Sequence, residues 1–314
     1  MASSKPVVIA ALVANGAIAV MKFVGFLLTG SPSMLSETYH SISDTGNQVF
    51  LLIGIRYSSK DPTRGHPFGY GKAQFFYSFL VSVLLFGIAG WESLRHGYDA
   101  IVHPGHGGGG DPVTLLGTTF DPVWVNVVVL VGAIGFEAWA LKKANAELQR
   151  QIDEYGWSGI REAFRETADV TTLTAFTEDT IALSGATIAL VGVGLTELTA
   201  NPVYDAVSAV VIGLLLMGFA LALAWENKRL LLGESLSKEV EGDLRGTLAD
   251  YPGVVHVDRL RTVFFGAEDV LVTADVSFDA DLDVGEVDEA IDGLEARLRE
   301  VDDRIRMVYI EPEV

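Results

Sequence analysis

The sequence contains no cysteine among its 314 residues and has few charged residues. The absence of cysteine excludes a disulfide framework, a thiolate zinc site and a cysteine nucleophile. Charged residues make up 20% of the chain, against about 25% in soluble domains, and the mean hydropathy is +0.34. Basic residues are the scarcer kind, with 22 Lys and Arg against 41 Asp and Glu. Because a nucleic-acid binder needs basic surface to meet phosphate groups, we expect no nucleic-acid partner.

The acidic excess is concentrated near the C-terminal end. Residues 231–314 contain 22 of the 41 acidic residues but only 8 of the 22 basic residues. The apolar character and the acidic character therefore belong to different segments. We predict a membrane domain over residues 1–230 and a small cytoplasmic domain over residues 231–314. So acidic a cytoplasmic domain also suggests a salt-rich cytosol that screens self-repulsion, and hence a halophilic source.

Six stretches approach the roughly 20 mostly apolar residues that a bilayer span needs. They cover residues 6–28, 34–57, 74–97, 122–141, 168–196 and 203–226. The connections 98–121 and 197–202 contain no Lys or Arg. The connection between spans two and three, the connection between spans four and five, and the segment after span six each contain several. Because basic residues favour the cytoplasmic side, we predict a multi-pass protein of the cell membrane with both termini in the cytoplasm.

Polar side chains recur at helical spacing inside the second predicted span. They share one helical face because they follow one another at steps of three and four residues: Glu37, His40, Asp44 and Asn47. His40 and Asp44 lie one turn apart, so an imidazole nitrogen and a carboxylate oxygen can hold one ion. Ionisable groups at bilayer depth are costly and usually mark an ion pathway, although a buried hydrogen-bonded pair is the alternative.

Other spans add candidates of less certain role. Span five contains the adjacent acids Glu178 and Asp179. A second acidic pair in another span favours an ion site over the alternative that His40 and Asp44 form only a structural hydrogen-bonded pair. Span six opens with Asp205, which fits either the pathway or a helix cap. Lys22 on span one is expected to make an interhelical polar contact or to reach the membrane interface, and Asn47 to form an interhelical hydrogen bond.

Two stretches of the sequence resemble the cation diffusion facilitator family. They are SPSMLSETYHSISDTGNQ in span two and GHPFGYGKAQ, which starts at Gly65; NPVYDAVSAVVIGLLL in span six and YPGVVHVDRLRT and VYIEP in the tail are also similar. This family consists of six-span, proton-coupled exporters of divalent metals. The resemblance implies an α-helical integral membrane protein with six transmembrane helices, a small α+β ferredoxin-like cytoplasmic C-terminal domain, and a homodimer.

The resemblance also implies a four-coordinate transport site shared by spans two and five. His40 and Asp44 fall on the span-two ligand positions. Span five departs from the usual second HxxxD, and the acidic pair Glu178 and Asp179 stands beside the aligned positions, as in a divergent branch that includes a mitochondrial zinc transporter. Adjacent helical residues point about 100° apart, so the two are not expected to face the site equally. Asp179 is slightly favoured and both remain open.

Four histidines outside the predicted spans are not expected to form a metal site. In the loop after span two the family has a second histidine where this chain has Tyr70, so we do not expect an accessory metal site there. His66 either caps or orients the loop or is, with Glu37, Asn47 and Asp205, a secondary candidate for the polar pathway. His256 is the only histidine after residue 106, which argues against a zinc cluster in the tail. The outer loop with His103 and His106 is glycine-rich, and we expect it to be a linker because ordering it costs entropy.

The tail has the pattern of a small α+β domain. We predict a helix over 236–250, strands over 254–264 and 269–278, a helix with an apolar stripe from Val284 to Leu298, and a last strand over 304–310. This order fits the ferredoxin-like domain that the resemblance implies.

The functional hypothesis is proton-coupled export of a divalent metal, with no prosthetic group. The partners are the metal, protons, the lipid bilayer and a second copy of the chain. Zinc leads, and a donor set with one histidine also suits manganese, iron(II) or cobalt. A metal sensor or scaffold without net transport would share the ligands. An intramembrane metalloprotease, with Glu37 as its base, is disfavoured because the sequence contains no HExxH.

Overall fold

The computed structural model describes residues 4–103, 113–115, 118–121, 123–156, 158–160, 163, 170–267 and 269–313. Within these residues, six long helical segments correspond to the six predicted spans. They are α1 (Ser4–Thr29), α2 (Pro32–Ser58), a segment from Ala73 to Val102, α5 (Val123–Tyr155), α6 (Val170–Thr199) and α7 (Val203–Leu232). The third segment consists of α3 (Ala73–Leu84), a π-helical turn (Leu85–Gly90) and α4 (Trp91–Val102). Of the predicted outer linker, residues 103–111, only His103 belongs to the described residues, and residues 104–111 lie outside them.

Within the described residues, four helical segments are long and apolar enough to cross a bilayer. They are Ala73–Val102, Val123–Asp153, Phe176–Thr199 and Val203–Leu232, and a shorter apolar helix covers Asn15–Thr29. The helix α2 has 27 residues but does not belong to this group, because it carries the polar face described above. A polar span in a membrane domain must be shielded from lipid by its neighbours.

The chain divides into two compact units. The first contains residues 1–52 and 80–224, and the second contains residues 53–79 and 225–314. The apolar core of the first unit takes its members from several helices, among them Met34, Leu130, Ala189, Ile212 and Leu216. A Cβ atom on Gly213 of α7 would lie 2.7 Å from the backbone nitrogen of Leu94, so glycine lets α7 approach α4 closely. Two short strands, β1 (Val113–Leu115) and β2 (Thr118–Phe120), pair antiparallel in the predicted outer connection.

The end of the second unit is the α+β domain that the sequence predicts. It contains α8 (Lys238–Ala249), β3 (Val254–Gly266), β4 (Asp269–Phe278), α9 (Val284–Val301) and β5 (Ile305–Glu313). The sheet order is β3-β4-β5, with β3 antiparallel and β5 parallel to the central β4. Alternate residues of β4 are buried against α8 and α9, whose core members include Leu244, Leu248, Leu294 and Leu298. The first residue of the predicted apolar stripe, Val284, is 88% exposed because it begins α9 rather than facing the sheet.

Local sequence signals fix the helix starts in this domain. Ser237 caps α8, and its side chain accepts a hydrogen bond from the backbone of Val240. Asp283 and Glu286 form a capping box at the start of α9. Before β5, the Arg304 guanidinium donates hydrogen bonds to Asp302 and holds the pKa of that carboxyl below its usual value. This contribution to stability is present above the unfolded pKa of Asp302 and is lost as the pH falls through the lower folded value.

Truncating the core of this domain is expected to loosen its central strand. Leu294 is 0% exposed, and removing its side chain as Leu294→Ala should lower the local free energy of unfolding by about 2–5 kcal/mol. In the detergent-solubilised full chain, amide hydrogen exchange in β4 should then accelerate by about 30-fold or more. The matched control is Val284→Ala on the same helix. Equal exchange rates in the two variants would contradict this account of the core.

Candidate metal centre

The polar face of α2 is buried and carries the two candidate ligands of that helix. His40 is 1% exposed, and among the described residues neither of its ring nitrogens has a hydrogen-bond partner. Its Nε2 lies 3.6 Å from Oδ2 of Asp44, whose side chain is 14% exposed. A tetrahedral zinc ion with bonds of about 2.0–2.1 Å separates its ligand atoms by about 3.3 Å. The pair is therefore spaced close to the separation that one bound ion requires.

The acidic pair of α6 lies beside this face. The Asn47 side chain of α2 lies beside the carboxylate of Glu178, and Glu178 interacts electrostatically with Asp44 and His40. Asp179 acts electrostatically on Asp44. The structure thus brings all four predicted ligands into one neighbourhood of the first unit.

The four side chains do not close around a common centre. Across the described part of the chain, no group of three or more His, Asp or Glu side chains is close enough to hold one metal ion. The acidic residues of α6 approach the α2 pair without converging on it.

Glu37 takes part in a buried ion pair with α1. Its Oε2 lies 2.7 Å from Nζ of Lys22, and the two side chains are 0% and 1% exposed. Lys22 therefore makes the interhelical contact and does not reach the membrane interface. The other carboxylate oxygen of Glu37 has no hydrogen-bond partner among the described residues. The secondary polar residue predicted on α2 is thus held by a charge from another helix.

Glu137 on α5 is a further acidic residue near the site that the sequence analysis did not select. It interacts electrostatically with Asp44, His40 and Asp179. The available signal was its isolation, because it stands in a long apolar run of span four. An ionisable residue in such a position is a candidate for the pathway on that ground alone.

Asp205 has the contacts of a structural residue at the start of α7. It is 6% exposed and accepts a hydrogen bond from the hydroxyl of Ser33, at the start of α2. Its backbone N–H donates to the hydroxyl of Thr196 on α6. A carboxylate in the first turn of a helix also interacts favourably with the helix dipole. These contacts favour the helix-end alternative for Asp205.

His66 belongs to the second unit, in the loop between α2 and α3. Its ring packs against that of Tyr70 with 4.3 Å between centroids, and its backbone pairs with that of Thr63. The hydroxyl of Tyr70 lies 3.1 Å from that of Thr63, and its ring contacts Tyr57 edge to face. These contacts favour a role of His66 in ordering the loop.

Comparison with known proteins identifies the family of the chain. Residues 8–232 match the family model of the cation efflux transmembrane domain, and residues 236–313 match that of the cation efflux protein cytoplasmic domain. The human protein named proton-coupled zinc antiporter SLC30A9, mitochondrial, is 32% identical over 273 residues, which are 87% of this chain and 46% of the relative. Metal tolerance protein C4 of Arabidopsis thaliana is 27% identical over 245 residues, or 75% of this chain and 49% of the relative.

The chain spans about half the length of these curated relatives. Among solved structures, the C-terminal domain of MamM in a nickel form is similar with a TM-score of 0.24 and 20% identity, over 25% of this chain and 98% of that one. The two family models together cover nearly the whole sequence and meet between residues 232 and 236. The chain belongs to the cation efflux family, which is also called the cation diffusion facilitator family.

Proposed function

We propose that this protein exports a divalent metal from the cytoplasm in exchange for protons, and that zinc is its main substrate. The observation that carries the proposal is the state of His40. It is an imidazole buried at bilayer depth, both of its nitrogens lack hydrogen-bond partners in the described structure, and it stands 3.6 Å from a carboxylate. A buried polar group is normally satisfied. A metal ion bound at this position would satisfy it.

The ligand set that we propose consists of His40, Asp44 and the acidic pair of α6. Glu178 lies beside Asn47 and interacts electrostatically with both α2 ligands, whereas Asp179 interacts with Asp44. We therefore propose Glu178 as the main ligand from α6, whereas sequence reasoning slightly favours Asp179. One imidazole with two or three carboxylates binds zinc, but discriminates less against manganese, iron(II) or cobalt than a set with two imidazoles does.

Proton coupling follows from the chemistry of these ligands. Imidazole must be neutral and the carboxylates ionised before they can bind a metal, so metal binding releases protons and protonation releases the metal. Closing the gap between α2 and α6 forms the site, and opening it on the far side exposes the metal to protons. Alternating access then results from a rocking of the helices between these two states, the closed site and the site open to the far side. The name of the human relative, a proton-coupled zinc antiporter, supports the same coupling.

The proposal extends to the organisation of the protein. Residues 1–230 form the transmembrane cation-efflux domain, and residues 231–314 form the cytoplasmic domain of a homodimer. Both termini lie in the cytoplasm of a cell whose plasma membrane carries the protein. The names of the relatives, which are antiporters and metal transporters, argue against the intramembrane protease. The sensor or scaffold without net transport remains the second candidate, since it would use the same ligands.

Removal of one α2 ligand should abolish transport. Asp44→Ala leaves His40 without its partner carboxylate, so we expect proton-gradient-driven zinc uptake into proteoliposomes to fall to the level of empty liposomes. Zinc, manganese, iron(II) and cobalt are measured side by side with a metal-sensitive dye. The matched control is Asp99→Ala at the end of α4, where the side chain is 55% exposed. Full transport by folded Asp44→Ala protein would refute the site, and metal binding by the wild type without flux would favour the sensor.

The tail histidine should be dispensable for transport. His256 is exposed on β3, and no second histidine of the sequence lies beyond residue 106. We expect His256→Ala to retain zinc flux within about twofold of the wild type, because a lone exposed imidazole binds zinc weakly. A complete loss of flux in this variant would mean that the tail takes part in metal binding.

A further inference from the structure

The buried ion pair between α1 and α2 lies one helical turn from the candidate ligands. Lys22 and Glu37 are almost completely shielded from solvent, with 2.7 Å between Nζ and Oε2. Both charges act on His40 and on Asp44. Burying two charges usually costs about as much as their attraction returns, unless further hydrogen bonds satisfy them. The ion pair is therefore expected to contribute little to the stability of the fold. Its position next to the site suggests another role.

The second oxygen of Glu37 is directed toward α6. This atom, Oε1, is buried and has no hydrogen-bond partner among the described residues. A Cβ atom on Gly185 of α6 would lie 2.5 Å from it, so the absence of a side chain at Gly185 makes room for the carboxylate. Glu37 thus has one carboxylate oxygen, Oε1, that is free to bind a cation, and this oxygen lies between the two helices that carry the proposed ligands.

We propose that Lys22 is a positioning residue that determines specificity by withholding Glu37 from the metal. The ammonium group occupies one carboxylate oxygen, cancels the charge of Glu37 and fixes the side chain between α1 and α6. The transported ion then meets one imidazole and the carboxylates of Asp44 and the α6 pair. The inference rests on the proposed function, since it concerns the donor set of the same site.

Loss of Lys22 would release an additional hard oxygen donor. Glu37 would be an unpaired buried carboxylate one turn before His40, and an added carboxylate favours manganese, which prefers oxygen ligands, more than zinc. Tighter binding would also slow the release of the metal. Loss of Glu37 alone would have the opposite effect, because an unpaired ammonium beside a cation site repels the ion.

The test measures metal binding and transport in three variants of the full-length protein: Lys22→Met, Glu37→Gln and the double variant. Zinc and manganese dissociation constants are determined by calorimetry in detergent at one pH. We expect Lys22→Met to bind manganese about tenfold more tightly or better, and Glu37→Gln to bind zinc about tenfold more weakly or worse. The double variant should return both constants to within about threefold of the wild type, since the two effects share one contact.

Transport supplies a second measurement that a merely structural pair would not change in this way. In proteoliposomes, Lys22→Met should lower both KM and kcat for manganese. The control Arg95→Met removes a cation from α4, where the side chain is 60% exposed, and should leave both dissociation constants unchanged. If Lys22→Met does not fold, the comparison of Glu37→Gln with the double variant decides, because removal of the lone ammonium should then restore zinc affinity.

Two results separate this inference from the proposed function. The proposed role of Lys22 is wrong if the wild type and all folded variants bind each metal with dissociation constants that agree within about twofold. That result would leave the proposed transport site unaffected. Absence of metal binding or gradient-driven flux in the wild type would overturn the proposed function and this inference together.

Discussion

The burial of charged and polar groups at bilayer depth is the constraint on which the membrane domain depends. Lipid offers no hydrogen bonds, so each such group must be met by a group from another helix. Glu37 of α2 is paired with Lys22 of α1, and Glu178 of α6 lies beside Asn47 of α2. At the start of α7, Asp205 is met by Ser33. The ring nitrogens of His40 have no such partner among the described residues, and the metal that we propose as substrate would supply one.

The same constraint links folding to transport. A helix as polar as α2 is stable in a membrane only between neighbours that supply charge partners, and those neighbours also fix which oxygens remain free for a cation. The residues that hold the helices together and the residues that we propose as metal ligands are therefore adjacent members of one network. A proton that neutralises a carboxylate in this network changes both the affinity for metal and the contact between helices, which is the physical basis of antiport at such a site.

Much of this arrangement could be predicted from the sequence. The six spans, the order of elements in the tail and the α2 face follow from hydrophobic length and from spacing at three and four residues. Spacing within one helix does not reveal the partner on another, so the sequence left Lys22 between two roles and gave Asp205 two alternatives. Glu137 was missed because a single acid in an apolar span has no periodic companion. The contacts of Glu178 and Asp179 likewise depend on how α6 is rotated, which one sequence does not determine.

The ligand chemistry distinguishes this chain from a site with two histidines. The central claim is that one imidazole, that of His40, and carboxylates from α2 and α6 bind the transported ion. X-ray absorption spectroscopy of zinc bound to the purified full-length protein tests this claim most directly, with His40→Ala as the paired sample. The account predicts a first shell of nitrogen and oxygen with the scattering signature of a single imidazole, which disappears in His40→Ala. Two or more imidazoles in the wild type, or a signature that persists in His40→Ala, would contradict it.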